Sequence, residues 1–153
     1  MMHHSLSKAV KTDRIKPDAS GFTVAAGTTD VNSDIIDTAG WEGVRFIIGF
    51  GAITAGAVTS VKAQQGAASN MSDAADLAGS AITVADSDDN KVAIIEIYRP
   101  IKRYVRSVID RGTQNAVVDF ELVEYIDSRK QPITEGGNVI SAEVNVSPAE
   151  GTA

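Results

Sequence analysis

The sequence predicts an all-β domain, a two-sheet sandwich of jelly-roll type, and three observations carry that expectation. Apolar residues recur with period two far more often than with the period of a helix. Runs rich in Val, Ile, Thr and Phe are punctuated by Gly, Asn, Asp and Ser, the residues of turns. Long helix-period segments are missing, which disfavours the alternating strand–helix pattern of a parallel sheet.

The clearest strands are expected at residues 21–26, 41–51, 57–65, 91–98, 101–110, 116–125 and 139–146, with weaker ones at 34–38 and 80–85. The stretch Val44-Arg45-Phe46-Ile47-Ile48-Gly49-Phe50 is nearly continuous in apolar residues and reads as a central strand covered on both faces. In the segment before Tyr125, alternation puts Val118, Phe120, Leu122 and Glu124 on one face and Asp119, Glu121, Val123 and Tyr125 on the other. The first set is expected to meet the core. One short helical turn is expected near residues 70–78, where Ser69 and Asn70 offer capping groups, alanines follow and Gly79 closes the run.

Length and charge bound the organisation. A chain of 153 residues suits one domain with a core of its own. It has no cysteine, so neither disulfides nor thiolate chemistry enter. Without a long apolar run or a signal-like start it reads as soluble and unexported. The net charge is −6, yet residues 1–17 hold Lys8, Lys11, Arg14 and Lys16 against Asp13. The division expected is therefore a basic N-terminal arm at 1–20, a sandwich at 21–146 and a flexible tail at 147–153. Such an arm suits contact with an acidic neighbour.

Motifs for catalysis are weak. His3 and His4 are the two histidines and both fall in the expected arm, so a histidine base has no well-placed candidate. Gly-x-Ser-x-Gly does not occur, and Gly49-Phe50-Gly51 lacks the third glycine and following helix of a dinucleotide fingerprint. Those glycines are expected to mark a bulge or a close backbone approach within a strand. Asp86-Ser87-Asp88-Asp89-Asn90 begins like a calcium loop, but Lys91 stands where that loop needs glycine and Ile97 where it needs glutamate. A polar hairpin turn is the expectation there. Asp119, Glu121 and Glu124 read as charges of a sheet face rather than a glycosidase pair. No catalytic residue, cofactor or metal is expected, and the chain is read as a non-enzyme.

One tract stands out. From Tyr98 to Arg111, two tyrosines and five cations crowd into fourteen residues, with Pro100 between two strands. Tyrosine and arginine combine apolar area with directional hydrogen bonds, the mixture that suits a protein interface. The expected interface set is Lys8, Lys11, Arg14, Lys16, Trp41, Tyr98, Arg99, Arg103, Tyr104 and Arg106. Neither nucleic acid nor a membrane is an expected partner.

Four segments in order carry a resemblance: Ala26-Gly27-Thr28-Thr29-Asp30; Thr38-Ala39-Gly40-Trp41-Glu42-Gly43-Val44-Arg45-Phe46-Ile47; Val61-Lys62-Ala63-Gln64-Gln65; and Tyr98-Arg99-Pro100-Ile101-Lys102-Arg103-Tyr104-Val105-Arg106 with Arg111-Gly112-Thr113. Together they resemble small virion structural proteins of tailed bacteriophages, over roughly residues 22–133. The resemblance implies a capsid decoration, or cement, protein: a small β-sandwich, made in the host cytoplasm, that sits on the capsid surface of the virion. It implies a homo-oligomer, with a trimer favoured, that bridges neighbouring subunits of the major capsid protein. A neck or tail protein of the virion is the alternative within the same class, and a carbohydrate-binding β-sandwich module is the alternative outside it.

Overall fold

The computed structural model describes residues 6–24, 27–114, 118–130, 132–145 and 150–151. A four-residue helix, α1 (Leu6–Ala9), leads into ten strands: β1 (Val10–Ile15), β2 (Val31–Asn32), β3 (Ile36–Asp37), β4 (Trp41–Gly49), β5 (Val58–Gly66), β6 (Ala75–Asp76), β7 (Ile82–Thr83), β8 (Val92–Tyr98), β9 (Tyr104–Arg111) and β10 (Phe120–Ser128). They form two antiparallel sheets. One has the order β1-β10-β4-β8; in the other β9 and β5 are central, β2 and β3 pair with β9, and β6 and β7 pair with β5.

The pairing makes this sandwich a jelly roll. With β2/β3 and β6/β7 each counted as one interrupted strand there are eight, and they pair as a long ribbon: β1 with β10, β2/β3 with β9, β4 with β8, β5 with β6/β7. Rolling that ribbon brings β10 against β4 and β9 against β5.

The core lies between the inner faces. Val44, Phe46 and Ile48 of β4, with Ile95 and Ile97 of β8 and Val123 of β10, meet Val61 and Ala63 of β5 and Val105 and Ile109 of β9. Each central strand sends alternate residues inward, so burying them removes apolar area from water at roughly 25 cal/mol per Å². As its apolar run predicts, β4 is an interior strand of its sheet, but it is covered on one face rather than both, because Arg45 and Ile47 lie half-buried on the outer face. Gly49 is a close-approach position: a Cβ there would sit 2.3 Å from the Phe120 ring, which lies across the strand.

Several expectations are corrected. The expected arm contains β1, which pairs with β10 from Val10↔Ile126 to Ile15↔Glu121 and buries Ile15 and Pro17. Residues 135–138 then fasten along it: Thr12 donates its N–H to Glu135 Oε2 at 2.6 Å, Gly136 donates to the Thr12 carbonyl, and Asn138 Nδ2 donates to the Arg14 carbonyl. No helical turn forms at 70–78. Met71 has a φ of 55°, incompatible with a right-handed helix, the Asp73 carboxylate accepts the N–H groups of Ala67 and Ala68, and Ala75–Asp76 joins β5 instead. Residues 21–24 contribute a single bridge, Asp18↔Gly21, rather than a strand; 25–26 lie outside the described residues. Val118 is buried and Asp119 exposed as expected, but from Phe120 on the phase is the reverse of that expected. Glu121 and Val123 point into the core, while Phe120 and Leu122 occupy the outer face. Residues 139–145 form no strand, and most of the expected tail lies outside the described residues.

Candidate functional site

Three features define the surface of the sandwich: a basic end, an apolar outer face on the four-stranded sheet, and a polar outer face on the other sheet.

The basic end is built by the β3–β4 turn, the β8–β9 turn and the chain after β10. At Thr38-Ala39-Gly40-Trp41 the Trp41 N–H donates to the Thr38 carbonyl at 3.1 Å, and Gly40 adopts a φ of 87° that a side chain would strain. The β8–β9 turn holds Arg99 at a φ of 51°, a left-handed conformation that costs a non-glycine residue roughly 1–2 kcal/mol. Its N–H is tied to the Glu42 carbonyl at 2.7 Å. Between these turns lies an open concavity of about 600 Å³, with Trp41, Arg99, Ile101, Lys102, Arg103 and Arg129 on its walls.

Charge there is largely paired. Glu42 receives Arg99 at 3.4 Å and Arg129 at 2.9 Å, two cations on one carboxylate. Arg103 grips Asp37 through two N–H groups, at 2.8 and 2.7 Å, and that fork holds the Asp37 carboxyl below its ordinary range. Lys102 reaches Asp73 at 3.2 Å. Ile101, at the tip of the turn, is 90% exposed.

Of the expected interface residues, Trp41, Tyr98, Arg99, Arg103 and Tyr104 come together here. Arg99 lies over the Tyr98 ring at 5.2 Å and Arg103 over Tyr104 at 5.3 Å. Trp41 is half-buried and leans on Tyr125, ring centres 5.2 Å apart and planes at 46°. Burial pushes the Tyr125 phenol up to about 12, and Lys11 sits over that ring at 4.7 Å, so one member of the expected arm joins the same end. Arg14 and Lys16 do not join it: Arg14 lies over Phe22, and Lys16 pairs with Asp34 at 3.8 Å. Arg106 is elsewhere, on the outer face of the six-stranded sheet, where Nε and Nη2 both donate to Gln64 Oε1. The side chain of Lys8 lies outside the described residues, as do His3 and His4.

The two outer faces differ in kind. Across the four-stranded sheet, Leu122, Ile47 and Ile94 are successive register partners in one outward row, with Phe120, Gly49 and Val92 in the row beside it. Ile94 is 45% exposed and Val92 53%. A charged row follows, in which Arg45 pairs with Glu124 at 2.9 Å, and Tyr98 lies beyond it. On the six-stranded sheet Lys62 instead bridges Asp76 at 3.1 Å and Asp110 at 3.3 Å, and Gln64 donates to Asp76 at 2.7 Å. That face is satisfied by its own polar groups.

Arg129 and the apolar outer rows were not expected from the sequence. Arg129 gives no local signal, because its partner Glu42 is distant along the chain. The consecutive apolar residues Val92-Ala93-Ile94-Ile95 do give one, since a strand with one wet face has no reason to alternate so poorly. The aspartates of 86–90 fasten loops: Asp89 accepts the Ile53 N–H, Asp86 that of Gly56, and Asp88 that of Ala85. Comparisons of the chain with protein-family models, with curated proteins and with solved structures find no match.

Proposed function

We propose that this protein is a non-enzymatic structural component of a tailed-phage virion, a capsid decoration protein that binds the outer shell and bridges subunits of the major capsid protein. The observation that carries the reading is the contrast between the two outer faces. One is covered by its own ion pairs; the other leaves Leu122, Ile47, Ile94 and Val92 as an apolar band rimmed by charge. An apolar patch with a polar rim is the anatomy of a protein-binding surface. The adjoining basic end, with Ile101 projecting and Arg99 and Arg129 sharing one carboxylate, supplies directional contacts beside it.

Repeated around a symmetric shell, modest contacts of this kind bind through avidity without any strong single site. Particles lacking the protein should burst more readily on heating or osmotic shock, and adding the purified protein back should restore them. Equal robustness with and without it would refute cementing. Hundreds of copies per particle fit a shell position, whereas about a dozen place the protein at the neck or tail. The carbohydrate-binding alternative gains nothing from the aromatic residues, because Trp41 is half-buried and tilted at 46° against Tyr125 rather than laid out as a flat platform.

A further inference from the structure

The two edges of the four-stranded sheet are treated differently. The β1 edge is covered by residues 135–138 of its own chain. The β8 edge pairs with β4 on one side, and no hydrogen bond among the described residues engages its other side. A seven-residue strand with a row of open N–H and C=O groups is a template for another strand. Two adjoining hollows line this edge. One, of about 400 Å³, lies between Leu77, Ser80 and Ile82 and the β8 residues 94–98; the other, of about 140 Å³, continues from Ile82 past Val92 and Ala93. The groove thus runs the length of β8, and its walls set Leu77, Ile82 and Ile94 beside the polar Ser80 and Glu96.

A matching segment exists in the same chain. Residues 139–145 alternate apolar and polar from Ile140 through Ala142 and Val144, against Ser141, Glu143 and Asn145, which is a strand pattern. Yet they form no strand and make no hydrogen bond to another part of the described chain beyond the turn from Val139 to Gly136. Ile140 is fully exposed and Val144 is 45% exposed. Seven residues of strand sequence and seven residues of strand edge, each without a partner among the described residues, occur on one molecule. The segment leaves the body from the β1 side, where 135–138 are fastened, at the opposite margin of the sheet from β8.

We infer that residues 139–145 of one copy add as a strand to the free edge of β8 in a second copy, seating the apolar side of the segment in the groove between β8 and Ile82. Main-chain hydrogen bonds supply affinity and the groove supplies register, the general mode of strand addition. Because donor and acceptor surfaces differ, the contact is head-to-tail and closes into a ring or continues as a chain of subunits. The inference does not depend on what the assembled protein binds.

The test uses the full chain and two variants on exposed positions, Ile140→Asp in the segment and Ala78→Arg at the groove wall. Sedimentation velocity should show the parent assembling with concentration and each variant remaining monomeric. Amides of β8 in the parent should exchange about tenfold slower in concentrated than in dilute solution. Mixing the variants should restore a dimer, since Ala78→Arg still donates a sound segment and Ile140→Asp still offers a sound edge. A monomeric parent at every concentration, β8 protection independent of concentration, or assembly that survives in both variants would each overturn the inference. Circular dichroism of the two monomers matching the parent confirms that the loss is of contact and not of fold.

Discussion

Ser107 of β9 donates its hydroxyl to Glu121 of β10 across the middle of the sandwich, joining the two sheets through a buried polar contact that Ser33 extends by accepting the Ser107 N–H. Glu121 Oε2 has no hydrogen-bond partner among the described residues, and burial pushes the carboxyl up to about 8, opposed by the Ser107 hydrogen bond and reinforced by the nearby charge of Asp34. The residue is therefore a protonated acid in the folded protein at neutral pH.

Stability should fall as pH rises through the window between the ordinary glutamate value of 4.5 and about 8, because the unfolded chain releases this proton earlier than the folded one. Above that window the loss is complete. Glu121→Gln should remove the slope and raise stability at pH 8 by on the order of a few kcal/mol, measured by urea unfolding across pH. A slope unchanged by the substitution would refute the assignment.

On the acid side the sign reverses. Asp73 is held at about 2 by the N–H groups of Ala67 and Ala68 and by Lys102, and Asp37, Asp76 and Asp88 are lowered by their own partners. Their contribution is present above the unfolded value of 3.8 and is lost as pH falls through the lowered values. With Glu121 acting from the other side, thermal stability should peak near about pH 4–5, and Asp73→Asn should blunt the acid limb alone.

At the basic end, Arg103→Lys keeps the charge but loses the fork on Asp37. Side-chain NMR titration should show the Asp37 carboxyl moving back toward 3.8, with little change in melting temperature because the pair is exposed.

The two faces of β4 should respond unequally. Phe46 is fully buried, so Phe46→Ala should cost about 3–5 kcal/mol, whereas Ile47→Ala, on the outer face, should cost less than about 1.5 kcal/mol. Chemical denaturation of the two variants measures the difference.

Strand positions were legible where the apolar pattern is dense: β4, β5, β8 and β9 lie close to their expected bounds because each buries a full inner face. The phase of β10 was not. Its outward set, Phe120 and Leu122, is more apolar than its inward set, since Glu121 is accommodated by Ser107 and Phe120 packs over Gly49. Alternation identifies two faces, and tertiary context decides which one is dry. β1 was hidden for a related reason: Val10-Lys11-Thr12-Asp13-Arg14-Ile15 is polar enough to read as an arm, and becomes a strand because β10 and residues 135–138 satisfy its backbone on both sides. Of the tyrosines and arginines dense in sequence from Tyr98 to Arg106, Tyr98, Arg99, Arg103 and Tyr104 share one end of the sandwich, but Arg106 does not, because two residues along β9 from Tyr104 the chain has moved onto the sheet face.

The most direct test is binding of the purified protein to phage shells that lack it, comparing the parent with Ile94→Asp on the apolar face and Gln64→Asp on the polar face. The account predicts that Ile94→Asp loses shell binding while Gln64→Asp retains it. Equal binding by the parent and Ile94→Asp, or failure of the parent to bind any shell, would contradict it.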